Sequence, residues 1–182
     1  MDIDTTYKRW HTLARLAGFK MDEGGYDRPF DVGGVETPRD LTDLTIGQLV
    51  GLGSLQESDD SVYAICDIVL GLGRHGVDGA RAVDVVRFIG WVTREVARIN
   101  RLFEGIQERP TPQEIKAGVN DLRFGLFGLL DWYAKRMGIA SHDDVLPVPW
   151  VRVYKCMEMD CRQKKYERRY SEVMSDEYRR KS

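Results

Sequence analysis

No run of apolar residues approaches the roughly 20 that a helix needs to cross a bilayer, and Met1-Asp2-Ile3-Asp4 lacks the basic flank and apolar stretch of a signal peptide. A soluble protein working without a membrane, in a cytoplasm, is expected. Cysteine is scarce: Cys66, Cys156 and Cys161 are odd in number and match no common zinc or redox spacing. They read as small hydrophobes in a reducing compartment. Charge of one sign is missing too, since 27 Lys and Arg face 29 Asp and Glu, which argues against a general coat for nucleic acid or lipid. His11, His75 and His142 stand alone, and the sequence contains no H-E-x-x-H, no G-x-S-x-G and no Gly-Lys pair of a phosphate-binding loop. No metal, cofactor or catalytic constellation is therefore assigned.

What the chain has in quantity is helical signal. Its 182 residues, 42% hydrophobic, suffice for one globular domain without disulfides or metals. A first helix capped by Asp4 or Thr5 is expected to run to about Phe19, with Trp10, Leu13, Ala14 and Ala17 on one face and Gly18 ending it. Residues 20–44, with Gly24-Gly25, Gly33-Gly34, Pro29 and Pro38, read as an acidic loop. A short hairpin through Phe30, Val32 and Val35 is the less favoured alternative. Thr45 and Gln48 form a capping-box pattern opening a short helix. A further helix begins near Ser61, carries Val62, Ile65, Val69 and Leu72 on one stripe, and is closed by Gly71, Gly73 and Gly76.

The strongest periodicity follows. Ala82, Val85, Ile89, Val92, Val96, Ile99, Phe103 and Ile106 alternate spacings of three and four, which predicts one long central helix with a continuous apolar seam. The seam reads as the spine of a helical bundle, or else as a coiled-coil interface with another chain. Asp84 and Arg87, and Glu95 and Arg98, are placed on the outer faces to pair across a turn. Thr111-Pro112-Gln113-Glu114 is a second capping box with proline in the first turn, opening a helix that stops near Asn120. Another spans Phe124 to Met137, with Phe127, Leu130, Ala134 and Met137 toward the core, Gly125 and Gly128 admitting a neighbouring backbone, and Gly138 at its end. Ser141 with Asp144 offers a further cap. Pro147 and Pro149 then lead into a last helix from about Trp150.

That last helix changes character midway. Trp150, Val153, Tyr154, Met157 and Cys161 make a stripe suited to burial, whereas residues 161–182 hold eight Lys or Arg against four Asp or Glu. Residues 1–161 are accordingly read as a helical domain and 162–182 as a basic helix protruding into solvent. The expected fold is all-α, a multi-helix bundle with one long central helix and a projecting C-terminal helix. Tyr166 and Tyr170 on that projection suit a polypeptide partner. Nucleic acid suits it less, because Glu167, Glu172, Asp176 and Glu177 oppose phosphate binding.

Two catalytic alternatives come from local spacing. Gly71-Leu72-Gly73-Arg74-His75-Gly76 fits the dinucleotide pattern G-x-G-x-x-G, but helical spacing before it and a long helix after it favour a loop that ends a helix. A thiol at Cys66 with His75 as base makes a nucleophile pair on paper, without a third group to orient the base. Asp22, Asp27 and Asp31 lack the order of a calcium loop.

Four segments carry a resemblance: Leu44–Leu49 (LTIGQL), Arg81–Phe88 (RAVDVVRF), Phe124–Ala134 (FGLFGLLDWYA) and Val148–Tyr154 (VPWVRVY). Through them the stretch from Leu41 to about Tyr170 resembles proteins encoded by tailed phages and prophages of Bacteroides-type bacteria, and among these the tail assembly chaperones. The resemblance implies a helical, non-enzymatic protein of the host cytoplasm that coats the tape measure protein, keeps it soluble and brings tail tube protein to it; a homo-oligomer is compatible. It brings no active-site residues. For gripping a client, Trp132, Tyr133, Trp150, Tyr154, Tyr166 and Tyr170 are the candidate residues, the first four being equally suited to the core. A structural virion component such as a head-tail connector is the alternative within the same class.

Overall fold

The computed structural model describes residues 5–16, 27–56, 58–106, 110–122 and 124–181. Helix makes up 73% and strand 5%, so the fold is all-α. Eight α-helices are formed among the described residues: α1 Tyr7–Leu16, α2 Ile46–Ser54, α3 Asp59–Leu70, α4 Arg74–Gly79, α5 Ala82–Ile106, α6 Pro112–Lys116, α7 Gly125–Met137 and α8 Trp150–Lys181. The chain divides into two compact units, Met1–Ile99 and Asn100–Ser182, and the division falls inside α5.

In the first unit the capping chemistry acts as read. The Thr45 hydroxyl accepts from the Gln48 amide while Gln48 Oε1 accepts from the Thr45 amide, 3.1 and 2.9 Å. Gln48 also uses Nε2 to donate to the Ile68 carbonyl at 3.1 Å, tying the start of α2 to α3. The start of α1 is held by an antiparallel bridge of Thr6 with Arg81, in which Tyr7 N donates to Ala80 O and Ala82 N to Thr5 O, both at 2.8 Å. Tyr7, Val32, Leu41, Ile46, Val77, Val85 and Phe88 are essentially sealed from water, and their burial is the main stabilising term of this unit. Asp4, Ala17, Gly18 and Phe19, named for the ends of the first helix, lie outside the described residues, as do Asp22, Gly24 and Gly25.

Several expectations are corrected. The hairpin, not a loop throughout, is what forms within residues 27–44: β1 Asp31–Val32 pairs antiparallel with β2 Val35–Glu36. Gly33 and Gly34 take φ of +60° and +82°, the conformation a tight hairpin turn demands. A side chain on Gly33 would also approach the Gly76 carbonyl to 3.1 Å. Thr37 anchors the hairpin from inside, 2% exposed, accepting from Arg28 Nη1 at 2.8 Å and donating to the Pro29 carbonyl. Helix α3 begins at Asp59 rather than Ser61 and ends on Gly71, φ +64°. Gly76 does not close it; it belongs to α4, a short helix that periodicity cannot register in so few residues.

The α5 seam is real but not uniform. Ala82, Val85, Val92 and Ile99 are buried, whereas Ile89, Val96, Phe103 and Ile106 are half-buried. Val86, Phe88 and Trp91 are buried as well, so the first half of the helix is enclosed on more than one face. Asp84 is buried at 7% exposure rather than on an outer face, and its carboxylate pairs with Arg81 Nε at 2.6 Å instead of Arg87. Glu95 and Arg98 pair as expected, at 2.8 Å.

In the second unit Thr111 and Glu114 close the expected capping box. The helix they open stops at Lys116, followed by a 3-10 turn at Val119–Leu122. In α7, Leu130, Tyr133 and Ala134 are buried, but Phe127 and Met137 point to water at 63% and 39% exposure. Gly125 has no neighbour that a side chain would meet, and a side chain on Gly128 would meet Phe124 of the same segment at 2.8 Å. The space beside Gly125 is open, and Phe124 takes the space nearest Gly128. Gly138 ends α7 at φ +68°, and Ser141 caps a second 3-10 turn, His142–Val145.

Candidate functional site

The catalytic alternatives fail on geometry. Cys66 is fully buried, and burial pushes its thiol up to about 12. A thiol so placed stays protonated at neutral pH and is no nucleophile, while His75 lies exposed on α4. Gly71 and Gly73 follow helix α3 rather than a strand and join it to α4. A depression lined by Thr6, Lys8, Arg9 and Thr12 is shallow and open to solvent. Among the described residues no three His, Cys, Asp or Glu side chains gather as a metal site would need. No helix there is long and apolar enough to cross a membrane.

The six aromatic candidates separate into three settings. Tyr133 and Trp150 are core residues, 1% and 3% exposed, and present nothing to a partner. Burial pushes the Tyr133 phenol above its ordinary value. Trp132 and Tyr154 are half-buried and already occupied. Trp132 Nε1 donates to Asp160 Oδ2 at 3.2 Å, and that carboxylate also receives Arg136. The Tyr154 ring meets the Phe103 ring edge to face, 5.4 Å between centroids. Tyr166 and Tyr170 alone stand in water, 66% and 55% exposed. One turn apart on α8, their rings stack with centroids 6.1 Å apart.

The larger apolar surface is one that helical spacing did not announce. Between residues 115 and 137 the second unit exposes Ile115 at 51%, Leu122 at 64%, Phe124 at 64%, Leu126 at 40%, Phe127 at 63% and Met137 at 39%. For Ile115 and Leu122 the reason is local. Gly118, at φ +85°, stops α6 after little more than a turn, so the segment never acquires the single apolar stripe that a longer helix could turn inward. Phe127 is held in place outside the core by the His142 ring, edge to face at 4.8 Å. His142 Nε2 lies 3.5 Å from Asp131, and the Asp131 carboxyl sits below its ordinary value through the hydrogen bond from Lys135, aided by His142. The clue available in the sequence was the density of large apolar residues across a stretch interrupted by Gly118, Gly125 and Gly128.

Beyond Cys161, α8 is exposed along its length apart from half-buried Lys165 and Met174. Its charges pair along the helix, as with Arg162 Nη2 and Glu158 at 2.7 Å, which supports a helix that stands in water.

Compared with protein families, with curated proteins and with solved structures, the chain matches none.

Proposed function

We propose that the chain is a non-enzymatic polypeptide-binding protein, acting in phage tail assembly as a chaperone for the tape measure protein and tail tube subunits in the host cytoplasm. The observation that carries the binding role is the exposed set from Ile115 to Met137. Large apolar side chains mostly in water contribute little to the fold, and their concentration within two short elements and one helix suits a surface that receives an apolar partner. An amphipathic helix laid across such a surface buries its apolar stripe while the acids and bases around it stay hydrated. The setting in tail assembly rests on the four sequence segments, two of which, Phe124–Ala134 and Val148–Tyr154, fall in this unit. Three exposed residues of the surface, Phe124, Leu126 and Phe127, belong to the first of these.

Co-expression with the tape measure protein of the same phage tests the reading. The intact chain should keep that protein in the soluble fraction, and Phe124→Ser with Phe127→Ser should lose this effect while leaving the helical content unchanged. The chain should also be missing from purified particles. A tape measure protein whose solubility is indifferent to the chain would refute the chaperone role, and retention in particles would indicate a structural virion component instead.

A further inference from the structure

Phe127, Asp131 and Lys135 follow at intervals of four on α7 and share one row of that helix. His142, on the 3-10 turn His142–Val145, reaches this row at two points. Its ring meets Phe127 edge to face, 85° between planes with centroids 4.8 Å apart, and its Nε2 faces Asp131 Oδ1 at 3.5 Å. Asp131 is itself held, because its Oδ2 accepts from Lys135 Nζ at 2.7 Å. The turn that delivers the imidazole is fixed in its own right. The Ile139 amide donates to the Ala134 carbonyl at 2.9 Å, the Ser141 hydroxyl accepts from the Asp143 amide at 3.2 Å, and Val145 is sealed from water.

A phenylalanine in water on a helix surface ordinarily moves among its allowed rotamers. Phe127 is exposed, yet its ring rests against a side chain that Asp131 orients. Folding gains little from this contact, since the phenylalanine stays mostly in water. Binding gains more, because a ring already set loses no rotamer freedom when an apolar side chain closes on it, and rigid aromatic rings are the anchors on which interfaces concentrate their energy. We propose that His142 is a positioning residue of the client surface, holding Phe127 outward as a preset anchor for an apolar side chain of the client's helix, with Asp131 and Lys135 orienting the imidazole. The client in this statement rests on the chaperone reading; the positioning rests on the ring contact alone.

Replacing Phe127 by 4-fluorophenylalanine in the full chain reads the ring directly. Its fluorine resonance should stand apart from the unfolded position, and His142→Ala and His142→Gln should each move it toward that position and sharpen it, at unchanged helicity. Glutamine keeps a polar side chain facing Asp131, so a loss shared by both variants belongs to the imidazole ring. Asp131→Ala should move the resonance the same way by less. In co-expression with the tape measure protein, His142→Ala should lower the amount kept soluble and Phe127→Ala should lower it further. The double variant should match Phe127→Ala, because His142 acts through Phe127. A resonance unmoved in both His142 variants would overturn the proposal, and so would a double variant that retains less client than Phe127→Ala. A parent chain that keeps no tape measure protein soluble would overturn the client role, while a displaced resonance would still uphold the positioning of Phe127, so the two failures are told apart.

Discussion

Ile99 offers the sharpest test of how α5 is covered. It is fully buried within a single chain, so replacing it by aspartate acts on the fold itself. Losing the isoleucine side chain from an apolar site removes about 2 to 3 kcal/mol of burial. The introduced carboxyl then either ionises without a partner or stays neutral, and staying neutral at pH 7 costs about 1.4 kcal/mol for each unit by which its pKa must rise, on the order of 3 to 4 kcal/mol in all. The total of roughly 6 kcal/mol is comparable with the entire stability of a small domain. Milder versions should fall in order, with Ile99→Val near 1 kcal/mol and Ile99→Ala near 3 kcal/mol. Leu102→Asp, three residues on but 36% exposed, should stay within about 0.5 kcal/mol of the parent because water still reaches it. Urea unfolding followed by far-ultraviolet circular dichroism measures the series, with size-exclusion chromatography reporting association. The aspartate penalty should shrink as pH is lowered toward 5, since an introduced carboxyl with a raised pKa becomes neutral there. A folded I99D protein unfolding at the same urea concentration as L102D would refute the argument. If it were also monomeric where the parent is a dimer, the seam would be a subunit interface.

The thiol of Cys66 should resist alkylation in the native protein at pH 8 and react only on unfolding, because it is fully buried and its pKa stands at about 12; peptide mass spectrometry showing prompt native labelling at Cys66 would contradict this. Acid should lower the melting temperature through identified groups. The carboxyls of Asp40, Asp131 and Glu158 are held below their ordinary values by hydrogen bonds from Thr42, Lys135 and Lys155 in turn. Their contribution is thus complete above about pH 4, the unfolded range, and is lost as pH falls through the lower folded values. Melting curves should be flat from pH 6 to 8 and drop below pH 4, with Glu158→Gln reducing the drop; a melting temperature unchanged down to pH 2 would show these pairs to be idle.

Much of the candidate surface was invisible for a reason that the same residues explain. Phe127 and Met137 share helical spacing with Leu130 and Ala134, and spacing alone assigns all four to one face. A helix buries only the part of its stripe that another element covers, and α7 is covered at Leu130, Tyr133 and Ala134 but not at its two ends. Tyr133 and Trp150 show the converse, aromatic residues suited to gripping a client that the unit uses for its own core. Tyr166 and Tyr170 were legible because the charge density around them leaves no apolar neighbour that could bury them.

By itself the sequence determined several of the helix ends. Thr45 with Gln48, Thr111 with Glu114, Gly71, Gly138 and the Pro149-Trp150 junction each satisfy or terminate backbone hydrogen bonding with groups a few residues away, so their effect needs nothing distant. It likewise determined the all-α class and the solvated character of the last helical turns. Only tertiary structure decided that Asp84 goes inside and pairs with exposed Arg81, that Gly33 nests against the Gly76 carbonyl, that α5 is divided between two units at Ile99, and which apolar residues remain in water. Burial is a property of pairs of surfaces, and the partner of a surface can lie anywhere in the chain.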